Sequence, residues 1–144
     1  MTATLPSDYY FHELTKLALG HSGRKSAQLN VNLPFFEIYN QAGTLVYHES
    51  DRARNTMVLT GLPGTLTGLK IDPAYHATYR EMLDIVPAFK SDEGALLAGD
   101  RYTVLAVTME KCSPCAQEDT LTSRLRKDSE RLRIRVLQVI LQRP

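Results

Sequence analysis

The chain has no tryptophan, only two cysteines, and a net charge of +1 over 144 residues. Each shortage excludes something. Two cysteines cannot staple a small secreted domain through a framework of disulfides, so the fold has to rest on a packed core. A charge so near zero argues against a general binder of nucleic acid or of anionic membranes. No apolar run reaches about 18 residues, the length a bilayer-spanning helix needs, so no membrane span is expected. The N-terminus lacks the basic region and apolar stretch of a signal peptide, although a chain whose leader had been removed would read the same way. The compartment is therefore cytoplasmic by default and periplasmic if a leader is removed. His12, His21, His48 and His76 stand apart from one another. No His-x₃₋₅-His pair completes a zinc site, and neither a metal nor a cofactor is expected. A Gly-rich phosphate loop, a nucleophile elbow and a paired-carboxylate arrangement are also missing.

What is present suits one domain over residues 1–144: 43% hydrophobic and 23% charged residues are enough to bury a real core. Three parts can be distinguished: 1–30, 31–100 and 101–144. In the first, Ser7 or Asp8 caps a helix through Leu19, with Phe11, Leu14, Ala18 and Leu19 on one face. The polar stretch 21–28 follows as a loop, with Arg24 and Lys25 solvated. In the second, Phe35–Tyr39 and Thr44–His48 alternate on either side of Asn40–Gly43 and predict a β-hairpin. Residues 49–55 read as a loop, Thr56–Thr60 as a short strand, Gly61–Gly64 as a turn and Leu66–Ile71 as another strand. Asp72–Pro73 opens a helix that runs to about Val86, and Asp92 caps a brief turn through Leu97.

The third part is the most informative. A buried apolar strand, Tyr102–Thr108, leads into Lys111-Cys112-Ser113-Pro114-Cys115. Two residues between thiols let a disulfide close within the first turn of a helix. Pro114 suits that turn, because its φ fits a helix start and no backbone donor is left unpaired there. Unpaired N–H groups and the helix dipole favour an anion at such a terminus, and the thiolate is the attacking species in thiol chemistry. Cys112 at the helix end is the natural nucleophile, Cys115 one turn inside is the natural resolving thiol, and Lys111 adds a positive charge. Half a zinc site, or small apolar fillers without chemistry, remain the other readings of the pair. Helix is expected over 117–130, with Leu121 and Leu125 on one face. Residues 132–141 favour a strand, although one long amphipathic helix fits the same spacing. Strand, helix and strand then make a βαβ unit with parallel pairing. Arg124, Arg126, Lys127, Arg131, Arg133 and Arg135 are interleaved with acids and read as a solvated face. Tyr9, Tyr10, Phe35 and Phe36 read as core.

These residues resemble the thioredoxin-like superfamily, and within it the bacterial TlpA-like thiol–disulfide reductases. Cys112-Ser113-Pro114-Cys115 at a strand end matches that superfamily's Cys-x-Pro-Cys. Glu118 stands where the TlpA-like pattern also has an acid. Leu33–Gly43 is similar to the Pro-x-Phe, short strand and Gly turn that open such domains. The resemblance implies a central mixed β-sheet flanked by helices, no cofactor, and a protein disulfide as substrate. Glu118 could then accept the proton of the resolving thiol, or be a solvated acid that suits the helix dipole. The chain departs from the pattern in three places. Lys111 stands where an aromatic is usual, the stretch from Gly43 to Cys112 is long, and the cis-proline loop, strand hairpin and last helix do not follow Cys115. One rearrangement supplies the loop: Leu59–Leu66 resembles the family's Gly-x-Pro-Thr loop, so a permuted order would bring Pro63 near the cysteines, whereas the plain reading is a surface turn. Two functions follow: a thiol–disulfide oxidoreductase using Cys112 and Cys115, or a non-catalytic thioredoxin-like module that binds a partner protein. The apparent loss of the C-terminal half favours the second. An exposed strand edge over Ile134–Leu141 would invite a partner strand or a homodimer.

Overall fold

In a computed structural model of the chain, residues 2–22, 32–66, 78–92 and 101–144 are described. Their elements are β1 (Thr2–Pro6), α1 (Ser7–Ser22), β2 (Phe35–Tyr39), β3 (Leu45–Glu49), α2 (Arg52–Thr60), α3 (Tyr79–Ile85), β4 (Tyr102–Met109), α4 (Ser113–Lys127), α5 (Ser129–Leu132) and β5 (Ile134–Gln142). The strands form one mixed sheet in the order β1-β5-β4-β2-β3. β4 and β5 pair in parallel from Tyr102↔Ile134 to Met109↔Leu141, as expected of a βαβ unit. Helix followed by strand is thus the outcome for the C-terminal segment.

The expected hairpin is also present, and its turn chemistry is legible. Asn40 Oδ1 accepts from the N–H groups of Ala42 (3.0 Å) and Thr44 (2.9 Å). Gly43 takes the left-handed φ of 80° that the turn requires. β2 then pairs antiparallel with both β3 and β4, with Phe35 opposite Val107. The β2–β3 hairpin therefore lies beside the strand that leads to the cysteines, although it precedes it by a long stretch of chain.

Alternation along the strands splits the core in two. On one face Phe35, Tyr39, Leu105, Val107, Leu137 and Val139 pack with Tyr10 of α1 and with Met82 and Leu83 of α3. On the other, Phe36, Ile38, Val104, Ala106 and Val136 pack with Val58 and Leu59 of α2 and with Leu121 and Leu125 of α4. Helices on both faces of the sheet cover its centre, which is why β4 is apolar almost throughout.

Several expectations are corrected. Thr56–Thr60 is helix, not strand. Asp51 caps α2 by accepting from Arg54 N (3.0 Å), and Asn55, Val58 and Leu59 are buried at helical spacing. Its β-branched threonines turn their hydroxyls back onto the helix, Thr56 to the Arg52 carbonyl and Thr60 to that of Thr56. The third helix does not run through from Asp72–Pro73. Thr78 is extended (ψ 162°) and starts α3 itself through a capping box with Glu81. The Asp72–Pro73 start lies outside the described residues, as do most of the strand expected over 66–71 and of the turn from Asp92 to Leu97. Leu66 itself ends a 3₁₀ turn. β1 went unforeseen: Thr2–Pro6 pairs in parallel with β5. That pairing covers β5 from Gln138 to Gln142, so this half of the expected edge is closed to a partner. Tyr10, Phe35 and Phe36 are core, whereas Tyr9 is 37% exposed and donates to the Ile85 carbonyl. Among the described residues no helix is long and apolar enough to cross a membrane.

Candidate functional site

The cysteine pair sits where the chain leaves the C-terminal end of β4. After Glu110, Lys111 adopts a left-handed φ of 55°. This turns the chain so that Cys112 becomes the N-cap residue of α4, with extended backbone (φ −108°, ψ 109°) and no side-chain capping bond. Pro114 falls in the first turn, as its missing donor allows. Cys112 and Cys115 form a disulfide, with Cα atoms 5.2 Å apart. Cys112 is half-buried, while Cys115 is 3% exposed. The outer residue of the pair is thus the accessible one, and the inner one is shielded. A disulfide leaves neither thiol able to ligate zinc, and among the described residues no group of three His, Cys, Asp or Glu is placed to hold a metal ion.

Cys115 begins the stripe of α4 that faces the sheet. Glu118, Leu121, Thr122 and Leu125 continue it, all buried. Glu118 is therefore not a solvated first-turn acid. Glu118 follows Cys115 by one helical turn on this stripe, a spacing of about 5–6 Å at Cβ. Burial pushes the Glu118 carboxyl above the ordinary carboxylate range, against the pull of Arg52. Its Oε2 is buried and accepts no hydrogen bond among the described residues. Glu118 also lines a cleft of about 130 Å³ between α2 and α4, with Arg52, Thr56, Thr120, Leu121 and Arg124 around it.

The other sequence candidates are placed as follows. Lys111 is exposed beside the pair. Pro63 lies in the turn that follows α2, after a helix rather than the expected strand. The Leu62–Pro63 and Leu33–Pro34 peptides are both cis. Sequence reasoning passed over Pro34 as the opening of the domain. It is buried and directly precedes β2, and the pairing of Phe35 with Val107 sets it level with Thr108 at the cysteine end of β4. The only available signal was that the hairpin following Pro34 pairs with β4, a long-range contact invisible in local patterning.

No protein-family model, curated protein or solved structure matches the chain.

Proposed function

We propose that this chain is a thioredoxin-like thiol–disulfide oxidoreductase that works through Cys112 and Cys115. The observation that carries the reading is the position of the pair: a disulfide at the end of a central parallel strand and the first turn of a 15-residue helix, accessible on its outer residue and shielded on its inner one. In the reduced protein, the helix N-terminus favours the Cys112 thiolate. That thiolate attacks a substrate disulfide, forming one S–S bond and releasing one substrate thiolate, which takes up a proton. Cys115 then loses its proton and attacks Cys112 Sγ. The internal disulfide forms and the second substrate thiol leaves. The substrate gains two electrons and two protons, and the cysteine pair loses them. A dithiol donor returns the protein to its reduced form. Glu118, one turn from Cys115 with an oxygen that has no donor among the described residues, is the group suited to accept the Cys115 proton.

A second arrangement supports the thioredoxin-like reading. The resemblance calls for a proline loop and a hairpin beside the cysteine strand, and these do not follow Cys115. Here Pro34, β2 and β3 precede it in the chain, and β2 lies next to β4. The binding-module alternative drew its strength from a missing half. A hairpin supplied from upstream answers one part of that reason.

The test uses oxidised glutathione as the disulfide. Reduced wild-type protein is expected to return to its internal disulfide and release glutathione thiol, and Cys115→Ser to stop at a mixed disulfide on Cys112. A Cys112→Ser protein that reacts as fast as wild type would refute the assignment.

A further inference from the structure

Arg143 follows the end of β5 and reaches across to the turn that delivers Cys112. Its backbone N–H donates to Glu110 Oε1 (3.1 Å), its Nε to the Glu110 carbonyl (3.2 Å) and its Nη2 to the Lys111 carbonyl (3.3 Å). The Lys111 carbonyl belongs to the peptide unit that ends at the Cys112 nitrogen. The guanidinium is therefore anchored one peptide unit from the disulfide's outer cysteine.

The turn needs such an anchor. A left-handed conformation is disfavoured for a residue with a side chain, and Lys111 adopts one at φ 55°. A rigid fork held on two successive carbonyls fixes the turn in the shape that points the chain into α4. The β4–β5 ladder is already closed at this end by Glu110 N–H donating to the Leu141 carbonyl (3.0 Å). The added bonds of Arg143 thus act on the turn and not on the strand pairing.

We propose that Arg143, more than Lys111, is the cation that positions Cys112 and stabilises its thiolate. This rests on the reading of Cys112 as the nucleophile. Two properties separate the two cations. Arg143 is held by its hydrogen bonds, whereas an exposed lysine carries its charge on a flexible stem. Guanidinium also keeps its charge at every pH where a thiol titrates. Arg143 is a positioning residue: it acts on the backbone and field around the sulfur and need not touch a substrate.

The experiment is done in a Cys115→Ser background, so that only Cys112 reacts. The rate of alkylation by iodoacetamide against pH gives the Cys112 thiol pKa. Arg143→Ala is expected to raise that pKa by about half a unit to one unit. Arg143→Gln, which keeps donors but loses the charge, should show most of the same rise, and Arg143→Lys less of it. Added salt should shrink the difference, since the site is exposed. Lys111→Ala should move the pKa less than Arg143→Ala does. An unchanged thiol pKa in Arg143→Ala or Arg143→Gln overturns the proposal, whether or not the melting temperature falls. So does a larger shift from Lys111→Ala. Alkylation needs no disulfide substrate. A chain that fails to exchange with oxidised glutathione, yet shows the rise in Arg143→Ala, would reject the oxidoreductase reading and leave the role of Arg143 standing.

Discussion

Glu37 and Glu118 are both almost fully buried, at 4% and 3% exposed, on opposite faces of one sheet. Glu37 stands on β2 among the residues that face α1 and α3. Its Oε2 accepts from the Tyr39 hydroxyl at 3.4 Å and lies 3.8 Å from His48 Nδ1. The tyrosine pays in acidity: burial first, then the Glu37 charge, hold its hydroxyl well above its ordinary value. Glu118 faces the other layer, one helical turn from Cys115, and its Oε2 has no hydrogen-bond donor among the described residues. A buried carboxyl with partners fixes a core, whereas a buried carboxyl oxygen without one is a candidate for proton transfer. The contrast sets a carboxyl that is bonded into the core against the one to which the proposed chemistry is assigned.

Removing Glu37 tests the first half and should have the largest effect on stability. Glu37→Ala leaves a cavity and strips Tyr39 of its acceptor, so a loss of about 2–4 kcal/mol is expected in denaturant unfolding. Exchange with oxidised glutathione should persist below the new midpoint. Loss of exchange in a protein of unchanged stability would invert the comparison.

Glu118→Gln tests the second half, with the opposite sign. Burial raises the folded carboxyl above its reference value of 4.5. The folded chain therefore keeps this proton to higher pH than the unfolded chain. Stability from this group falls as pH rises from the reference value through the raised one, and then levels off. Glu118→Gln removes that decline. Its melting temperature should exceed that of wild type at neutral pH, and the two should converge as the pH drops below the ordinary carboxylate range. The same substitution should slow release of the second glutathione, by about 10²-fold if Glu118 is the base for Cys115. A melting difference that does not change with pH would remove the burial argument, and an unchanged release rate would remove the catalytic one.

The smallest expected effects come from the helix starts on the two faces. Asp51→Ala at α2 and Thr78→Ala at α3 should each cost about 1 kcal/mol, read by thermal melting. Neither should alter thiol reactivity. An Asp51→Ala protein with altered exchange would mean that α2 shapes the site more than the contrast allows.

Local chemistry was readable in the sequence where it is short-range. Asn40 and Gly43 announce the hairpin, and Pro114 marks the turn that carries the cysteines. The run Tyr102–Thr108 reads as a buried strand because both faces of β4 are covered. Thr56–Thr60 misled because β-branched residues suggest a strand, while the cap at Asp51 and the buried spacing of Asn55, Val58 and Leu59 decide for a helix. At the site, Cys112 and Cys115 were visible from spacing alone. The burial of Glu118 follows from its place on the sheet-facing stripe that Cys115 begins, a periodicity that was present but not read to its start. Pro34 and Arg143 were hidden, because only strand pairing brings them to the end of β4 that leads to the cysteines. No spacing rule links positions 34 or 143 to 112; the antiparallel register of β2 with β4 and the parallel register of β5 with β4 do.

The central claim is that Cys112 is the reactive thiol and Cys115 the shielded one. The most direct measurement treats the reduced wild-type protein at neutral pH with less than one equivalent of iodoacetamide and maps the label by peptide mass spectrometry. The expected result is label on Cys112 in large excess over Cys115. An even split, or label first on Cys115, would contradict it.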